Sequence, residues 1–357
     1  MRSQKSVFLL LIAIAGAIAV FSSCKTRPPV IEIIEEPEPP PKGHNGPVFA
    51  VAFSHDGSQY ASGSVDTTIK LWDTKTGREI RTFTGHKSWV NSLAFNPEGT
   101  QIVSSGSYDN TVKLWDIETG ELIRTYKIGT FAPPTGMVTS VAFSPDGKQI
   151  LASYSDNAVR IWDASSGREL RTFAGQLGMI TSAAYNPNGK QIIFLDQSDN
   201  LGKFAAIIKY IDTATGKEVK NFPRYRESLY SISFSPDGDL ILFGSGDGNI
   251  IICDVNSGKE VKTLSGHTGW INSVCFNNDG TKIVSGSGSY DNTIKLWNVA
   301  TGREIRTFSG HTSWVISVAF SPDGKQIISG SRDTTVKQWD AVTGELIRTI
   351  GTPKQTN

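Results

Sequence analysis

Serine, histidine and aspartate, the side chains of a hydrolase triad, recur together at four places along the chain, each time followed by tryptophan. The four sets are His44, Ser62, Asp66 and Trp72; His86, Ser105, Asp109 and Trp115; His267, Ser285, Asp291 and Trp297; and His311, Ser329, Asp333 and Trp339. A triad needs one serine nucleophile in one cleft. Four copies in the same order and at a repeated spacing therefore predict a structural task rather than catalysis.

Other arrangements that bind metals, phosphates or cofactors are missing from the sequence. No group of cysteines and histidines has the spacing of zinc ligands, and no glycine-rich loop leads into a helix that would hold a phosphate. Asp247, Gly248 and Asn249 resemble part of a calcium-binding loop, but they lack the further ligands and fit a turn between two strands. We therefore expect no cofactor, no bound metal and no enzymatic activity.

The elements that position these residues belong to a repeat. The dipeptide Trp-Asp, or a variant of it, returns seven times at steps of 42 to 49 residues: Trp72-Asp73, Trp115-Asp116, Trp162-Asp163, Ile211-Asp212, Cys253-Asp254, Trp297-Asn298 and Trp339-Asp340. A unit of this size is one small sheet that cannot bury both of its faces alone. A closed ring of such sheets buries them all.

A turn tetrapeptide divides each unit. The seven copies are Ser54-His55-Asp56-Gly57, Asn96-Pro97-Glu98-Gly99, Ser144-Pro145-Asp146-Gly147, Asn186-Pro187-Asn188-Gly189, Ser235-Pro236-Asp237-Gly238, Asn277-Asn278-Asp279-Gly280 and Ser321-Pro322-Asp323-Gly324. Proline presets φ, Asx side chains bond the nearby backbone and glycine accepts positive φ. Apolar runs flank each turn and a charged run ends each unit, which predicts four antiparallel strands, a to d. Lysine and arginine on strand d are expected to protect the exposed edge from other chains.

Residues 44–350 resemble the WD40 repeat family in these turns, in the Trp-Asp dipeptides and in the Gly-His dipeptides upstream of them. The resemblance implies an all-β fold, a seven-bladed β-propeller of four-stranded antiparallel blades. It also implies that the four sets of histidine, serine, aspartate and tryptophan are hydrogen-bonded structural tetrads. In such a tetrad the aspartate accepts from histidine and the serine reaches the indole N–H, so each buried polar group is satisfied.

Three consecutive units depart from the tetrad pattern. Blade three has Ala152 at the serine position, and blade four has Gln176 at the histidine position and Ile211 for tryptophan. Blade five has Phe243 for serine and Cys253 for tryptophan. We expect these three blades to depend on apolar packing instead of the polar network.

The composition restricts the partners. The 357 residues have a formal net charge of +1 with 19% charged residues, so no electrostatic argument points to nucleic acid. The three cysteines cannot form a disulfide framework. Cys253 and Cys275 occupy positions where other units carry tryptophan or alanine, and we interpret them as buried reduced thiols, with a disulfide as the alternative. The repeats account for nearly the whole chain and predict a monomeric propeller.

The N-terminus is typical of an exported protein. Arg2 and Lys5 precede about 15 apolar or small residues, too short for a spanning helix and right for a signal-peptide core. The small residues that end at Cys24 resemble a bacterial lipoprotein signal, although Phe21 stands where that family usually has leucine. The resemblance implies a signal peptide over 1–23, a lipidated Cys24 and a lipoprotein that faces the periplasm or the cell exterior. An uncleaved anchor and ordinary secretion are the alternatives, and Lys25 favours sorting to an outer membrane.

A proline- and glutamate-rich segment, 24–43, separates this signal from the propeller at 44–351, and a tail covers 352–357. Such a segment favours extended polyproline conformations and would hold the propeller away from a membrane. Residues 30–34 are a β-prone exception, and they either add a strand to a blade or remain part of the spacer.

A partner is expected on the face that carries the d–a and b–c loops, which we call the top face. Its loops vary in length: 127–136 and 199–204 contain extra residues, as does the segment near Gly288 and Ser289, whereas the opposite turns stay nearly constant. In the WD40 family the positions just before strand a and just before the b–c aspartate lie on this face. The aromatic, methionine, leucine and arginine residues at these positions are Trp89, Tyr108, Met137, Met179, Leu229, Trp270, Tyr290, Trp314 and Arg332.

Tryptophan, tyrosine, methionine and arginine are enriched at the centres of protein interfaces. These residues therefore favour a protein–protein interaction scaffold, with the membrane reached through lipid on Cys24. Packing of the three tryptophans between neighbouring blades is the structural alternative. A carbohydrate-binding or adhesive propeller is the alternative function, since tryptophan also stacks on sugars, and a propeller hydrolase or lactonase is a further one.

Overall fold

The structure is a computed structural model, and it describes residues 42–127, 136–173, 178–198 and 205–354. These residues form seven sheets of four β-strands each, all within one compact unit, 40–357. Over the described ranges, no helix has the length and apolar character needed to cross a membrane. Signal peptide 1–23, Cys24 and residues 30–34 lie outside the described residues.

Blades one to four consist of consecutive strands. They are β1 (Val48–Phe53), β2 (Gln59–Ser64), β3 (Ile69–Asp73), β4 (Glu79–Phe83), β5 (Val90–Phe95), β6 (Gln101–Gly106), β7 (Thr111–Asp116), β8 (Leu122–Lys127), β9 (Val138–Phe143), β10 (Gln149–Tyr154), β11 (Ala158–Asp163), β12 (Glu169–Phe173), β13 (Met179–Tyr185), β14 (Gln191–Ser198), β15 (Ala205–Asp212) and β16 (Glu218–Asn221).

Blades five to seven continue the same order. Their strands are β17 (Leu229–Phe234), β18 (Leu240–Ser245), β19 (Asn249–Asp254), β20 (Glu260–Ser265), β21 (Ile271–Phe276), β22 (Lys282–Ser287), β23 (Ile294–Asn298), β24 (Glu304–Phe308), β25 (Val315–Phe320), β26 (Gln326–Ser331), β27 (Val336–Asp340) and β28 (Leu346–Ile350). The prediction of a seven-bladed all-β propeller with four antiparallel strands per blade is confirmed.

The first strand of each blade lies at the centre of the ring. It contacts the first strand of the next blade, and β25 contacts β1, so the circle is closed. In β2 every residue after the first is buried, whereas the outer strand β4 begins with exposed residues. The middle strands therefore have apolar or small side chains on both faces, because neighbouring blades cover both.

The predicted a–b turns close each inner hairpin. In the first, Ser54 Oγ donates to Asp56 Oδ1 at 2.6 Å and the Ser58 amide donates to the same oxygen at 3.0 Å. Gly57 completes the turn with φ of 73°, a value that favours glycine. The hydroxyl of Ser54 is the main cause that lowers the pKa of Asp56 below its usual range. The turn thus depends on the Asp56 carboxylate, which accepts both hydrogen bonds, and on glycine at position 57, which accepts the positive φ.

Apolar clusters fill the junctions between blades. Trp115 of blade two packs in one cluster with Leu71 and Phe83 of blade one, and Trp72 packs with Ile328 of blade seven across the closing junction. Each tryptophan of the Trp-Asp motif thereby fills space beside the preceding blade. Large-to-small changes at such positions remove both the transfer energy of the side chain and its packing.

Serines on the innermost strands also link the blades. At five junctions a serine hydroxyl accepts a hydrogen bond from a backbone amide of the next blade. The pairs are Ser92 with Val141 (3.1 Å), Ser140 with Ala183 (3.0 Å), Ser231 with Val274 (3.1 Å), Ser273 with Val318 (3.2 Å) and Ser317 with Val51 (3.1 Å). The last pair joins blade seven to blade one and so contributes to closure.

Basic side chains on the outer strands bind the next blade. Each reaches a carbonyl in the neighbouring c–d turn: Arg81 with Glu118 and Thr119, Arg124 with Ser165, Arg171 with Ala214, Lys262 with Val299 and Ala300, Arg306 with Val342, and Arg348 with Lys75. We call these six side chains the outer belt. Lysine and arginine on strand d thus have a role in addition to the predicted edge protection, because they join blades at the circumference.

Among the described residues the ring closes without exchange of a strand between its ends, since β1 to β4 and β25 to β28 form separate sheets. The amide of Gln338 donates to the Thr74 carbonyl at 3.1 Å. The chain ends also meet, because a Cβ placed on Gly43 would lie 2.4 Å from the Cα of Gly351. A side chain at Gly43 would therefore push the two ends of the propeller apart.

Both cysteines within the described residues are free thiols, as the sequence interpretation expected, but only Cys253 is buried and Cys275 is half-buried. Cys253 is fully buried in an apolar cluster with Phe243 and Ile241, and burial raises the pKa of its thiol to about 11. The thiol at the tryptophan position of blade five therefore acts as a small apolar group.

Candidate protein-binding face

Hydrogen bonds join the four members of each tetrad into a chain that ties the d–a loop to the blade. In blade one, Trp72 Nε1 donates to Ser62 Oγ at 2.8 Å, the Ser62 hydroxyl lies 2.8 Å from His44 Nε2, and His44 Nδ1 lies 2.9 Å from Asp66 Oδ2. The Asn45 amide also donates to Asp66. Blades six and seven contain the same chain through His267, Ser285, Asp291, Trp297 and through His311, Ser329, Asp333, Trp339.

The prediction that Ser105 is the tetrad serine of blade two is wrong. His86 Nε2 and Trp115 Nε1 both bond Ser104, at 2.7 and 2.8 Å, while His86 Nδ1 bonds Asp109. Ser105 Oγ instead donates to Asn91 Oδ1 at 2.8 Å. Adjacent residues of a strand point to opposite faces, so a slip of one residue exchanges the two serines. Ser104 occupies the fourth position of its strand, as Ser62 does in blade one.

The tetrad geometry is unsuitable for nucleophilic catalysis. Ser62, Ser104, Ser285 and Ser329 are all completely buried, so no substrate carbonyl can approach their oxygens. Each hydroxyl is also occupied by an indole donor on one side and an imidazole on the other. These residues stabilise the blade and do not form an active site.

The most deeply buried tetrad, that of blade seven, fixes the charge state of its members. Burial lowers the pKa of His311, although Asp333 opposes this. Burial would raise the pKa of Asp333, but the hydrogen bonds from His311, Thr335 and the Thr312 amide outweigh it and lower the pKa to about 2. The pair is therefore a neutral imidazole that donates to a carboxylate at neutral pH.

Blades three and five replace the network as expected from their sequences. Ala152 is fully buried among apolar residues of the second and third blades, and Phe243 packs with Cys253 in blade five. In blade three Asp156 lies 3.8 Å from Arg160 instead of a histidine. Gln176, at the histidine position of blade four, lies outside the described residues.

Backbone hydrogen bonds bring the two kinds of top-face positions together. An amide of the b–c loop donates to the carbonyl of the residue just before strand a in the same blade. The pairs are Val65 with Pro47, Ser107 with Trp89, Ser155 with Met137, Gly246 with Ser228, Gly288 with Trp270 and Arg332 with Trp314. The side chains at these positions are thus held on one face by regular backbone geometry.

Leu229 does not belong to this face, and its assignment as a partner-binding residue is wrong. It is the first residue of β17 and is completely buried in an apolar cluster. Ser228 occupies the position before the strand in blade five. Blade five lacks the Gly-His and tryptophan that mark this position elsewhere, so the count along the sequence slipped by one residue.

Four side chains from blades five to seven form one contiguous surface, which we call the aromatic row: Tyr230, Trp270, Trp314 and Arg332. The rings of Tyr230 and Trp270 are stacked with centroids 5.7 Å apart, and Trp270 meets Trp314 edge-on at 6.0 Å. The guanidinium of Arg332 lies 4.6 Å from the centre of the Trp314 ring. Trp270 remains 44% exposed in spite of these neighbours, so the row both bridges blades and reaches solvent.

Tyr290 extends from the loop next to this row. Its side chain is 99% exposed, and its backbone has φ of 85°, between Ser289 at 48° and Asn292 at 54°. The loop is anchored to the row because the Gly288 amide donates to the Trp270 carbonyl at 3.0 Å. Non-glycine residues at positive φ are uncommon and cluster at functional sites. The two extra residues of blade six therefore present a tyrosine to solvent.

A second aromatic group lies on blades one and two. Trp89 meets Phe49 at 5.9 Å and Tyr108 at 5.3 Å, both nearly perpendicular, and Tyr108 is 60% exposed. Of the two methionines, Met179 is exposed as the first residue of β13 and Met137 is half-buried. The predicted residues therefore divide into two aromatic groups and two separate methionines.

Sequence reasoning missed Tyr230 and Phe49. Both are the second residue of their innermost strand, where Asn91, Thr139 and Asn272 in other blades donate to a carbonyl of the next blade. An aromatic residue at a position that is polar in three other blades was the signal available. Of the two top-face loops with extra residues, 199–204 and all of 127–136 except its two end residues lie outside the described residues.

Family models match two parts of the chain. Residues 38–206 match the model of the IFT122 first beta-propeller, and 216–254, 258–298 and 302–340 match the WD domain, G-beta repeat. No metal-binding group of acidic, histidine or cysteine side chains occurs in the part of the chain that the structure describes.

Relatives with assigned names share short stretches. Nuclear distribution protein PAC1 of Coprinopsis cinerea is 59% identical over 39 residues, 11% of this chain and 9% of the relative. Dynein assembly factor with WD repeat domains 1 is 45% identical over 62 residues in Homo sapiens and 42% over 62 residues in Danio rerio, in both cases 17% of this chain and 15% of the relative. The matched stretches thus span less than a fifth of each relative. The chain contains WD40 repeats, arranged in a seven-bladed β-propeller.

Proposed function

We propose that this protein is a non-catalytic propeller that acts as a lipid-anchored protein–protein interaction scaffold in the bacterial cell envelope. The observation that carries the proposal is the aromatic row, formed by Tyr230, Trp270, Trp314 and Arg332, with Tyr290 fully exposed next to it. Tryptophan, tyrosine and arginine dominate the energetic centres of protein interfaces. The names of two relatives, an assembly factor and a nuclear distribution protein, are consistent with a scaffold.

The row suits binding with little rearrangement. Trp270 is held by its stack on Tyr230 and by two hydrogen bonds to its carbonyl, from the Ser287 hydroxyl and the Gly288 amide. Arg332 is held over Trp314. Ordering of flexible side chains opposes association, and side chains that are already ordered avoid most of that cost.

The same geometry favours a protein over a carbohydrate. A sugar stacks on an open aromatic face, but Trp270 lies between Tyr230 and Trp314. Arg332 covers the ring of Trp314. Trp89 likewise lies between Phe49 and Tyr108. A partner therefore contacts ring edges and a guanidinium, and these groups bind backbone carbonyls and apolar side chains.

The anchor is proposed from the sequence. The basic start, the apolar segment and the small residues before Cys24 support cleavage and lipidation there, which would place the propeller at a membrane surface in the envelope. Stable anchoring needs more than one acyl chain, and a lipoprotein N-terminus carries several on one residue.

Chemical crosslinking in intact envelopes followed by pull-down tests the interaction. The wild-type chain is compared with a variant that carries Trp89→Ala, Trp270→Ala and Trp314→Ala, and we expect that variant to lose the captured proteins. A matched control carries Ile80→Ala, Val261→Ala and Ile305→Ala, three exposed apolar residues of the outer strands. Identical captured proteins in all three samples would remove the proposed top-face function.

A further inference from the structure

A concave site lies at the end of the ring opposite the top face. Its cavity, about 510 Å³, is lined where the innermost strands of blades one to four finish. These strands converge only around the ring axis, since each contacts the innermost strands of its neighbours. The cavity is therefore the mouth of the central channel, and we call it the channel mouth.

Small side chains create the space. The residue before the last of each innermost strand in blades one to four is alanine, namely Ala52, Ala94, Ala142 and Ala184. The last residue is aromatic and turns toward the preceding blade, because Phe95 packs with Ala52 in one cluster and Phe143 with Ala94 in another. The alanines remain half-buried, so methyl groups and ring edges form the wall.

The lining is poor in available polar groups. Ser144 Oγ donates to Asp146 at 2.7 Å, and the amide of Asn96 is occupied by Glu98, Thr100 and Gln101 in its own turn. Two titratable side chains are among the described lining residues: His55, which stands at the rim in the exposed a–b turn, and Tyr185, whose hydroxyl donates to Gln149 Oε1 at 3.1 Å. A charged ligand would find no fixed counter-charge in this wall.

We propose that the channel mouth binds one small uncharged molecule with an aromatic or branched aliphatic body. The volume lies within the range of about 300–1,000 Å³ that is usual for small-molecule sites. Water over the alanine methyl groups and ring edges is displaced by such a ligand, which is the favourable term. The site is separate from the proposed scaffold function, because the turns around it lie on the face opposite the aromatic row.

Titration with N-phenyl-1-naphthylamine, a neutral fluorophore that brightens in apolar surroundings, tests this site on the full chain. Ala94→Leu and Ala142→Leu each place a larger apolar group in the cavity and are expected to weaken the affinity at least about tenfold. Ala300→Leu makes the same change in the exposed c–d turn of blade six, which does not line the cavity. That variant keeps the wild-type affinity, as does the triple tryptophan variant of the top face.

Three results would overturn the channel-mouth proposal: no saturable binding by the wild-type chain, an equal loss of affinity in Ala300→Leu, or loss of binding in the triple tryptophan variant. The last would place the probe on the aromatic row instead. Cooperative thermal unfolding establishes that each variant is folded. Ala142→Leu carries the test if Ala94→Leu does not fold.

Discussion

Arg348 Nη2 donates a hydrogen bond of 2.7 Å to the carbonyl oxygen of Lys75, a residue 273 positions earlier in the chain. The contact belongs to the outer belt, in which the same kind of bond joins Arg124 of blade two to Ser165 of blade three at 2.8 Å. The junction between the two ends of the chain is thus built like a junction within it. Closure of the ring thus reuses an interface found between other blades, to which the bond from Gln338 to Thr74 and the meeting of the chain ends are added.

The outer belt predicts equal effects at equivalent positions. Arg348→Ala and Arg124→Ala each remove one exposed hydrogen bond from a charged donor, and we expect each to lower the free energy of unfolding by about 1 kcal/mol. Denaturant unfolding with a common slope measures both. A much larger loss for Arg348→Ala would indicate that the closing junction is the weak point of the ring.

The corrected tetrad of blade two gives a direct comparison of neighbouring serines. Ser104→Ala leaves His86 Nε2 and the Trp115 indole without their shared partner, and we expect a loss of about 2–3 kcal/mol in the free energy of unfolding. Ser105→Ala removes the bond to Asn91 and a longer one of 3.3 Å to the Ser92 carbonyl, and about 1 kcal/mol is expected. Both changes delete only a hydroxyl, so each serves as the control for the other. The assignment fails if Ser105→Ala is the more costly change in chemical denaturation.

The blade-seven tetrad predicts loss of stability in acid. The pKa of Asp333 is about 2 in the folded chain against 3.8 ordinarily, so its contribution is complete above about pH 4 and disappears as the pH falls toward 2. The pKa of His311 is lowered from 6.5, so the unfolded chain binds that proton first and stability declines as the pH falls below 6.5. Acidification therefore lowers the free energy of unfolding through both groups.

Unfolding curves at a series of pH values between 7.5 and 2.5 would measure this dependence. Asn at position 333 cannot ionise. In Asp333→Asn the free energy of unfolding is therefore expected to fall less steeply below about pH 4 than in the parent, because the contribution of the Asp333 carboxylate is missing. A parent whose stability rises on acidification, or an unchanged slope in the variant, would argue against the charge states assigned to this pair.

The proposed anchor depends on one thiol. Cys24→Ser is expected to abolish acylation and to move the protein from the membrane fraction to the soluble fraction, because no acyl chain can then be attached at this residue. Mass spectrometry of the mature N-terminus checks the modification directly, with Cys253→Ser, a buried thiol of the propeller, as the control. A mature chain that begins elsewhere or carries no lipid contradicts the proposal.

The fold could be predicted from the sequence because each repeat carries its own turn tetrapeptide and its own Trp-Asp position. The turns from Ser54 to Gly57 onward and the seven Trp-Asp positions agree in phase, so an error in one unit is corrected by the others. Individual side chains have no such redundancy. Ser104 and Ser105 are adjacent and identical, so the sequence did not show which of them faces the tetrad. Leu229 lies in a blade without Gly-His, so the position before its first strand was assigned one residue too late.

Contacts between blades could not be predicted from the sequence, for a different reason. The arginine at the third position of strand d has a recognisable pattern, but its acceptor, a carbonyl such as that of Ser165, is defined only once the next blade is in place. The stack of Tyr230 on Trp270 joins residues 40 positions apart for the same reason. The channel mouth also exists only in the closed ring, because four blades contribute its wall.

The scaffold proposal is tested most directly by a photocrosslinking residue, p-benzoylphenylalanine, placed at Tyr290 in intact envelopes. Tyr290 is the most exposed aromatic residue of the top face, and Val261, 54% exposed on an outer strand, is the matched position away from it. We expect discrete adducts with another protein from position 290, none from 261, and their disappearance when Trp270→Ala and Trp314→Ala are added. The absence of adducts at position 290, or the same adducts from both positions, would contradict recognition of a protein by the aromatic row.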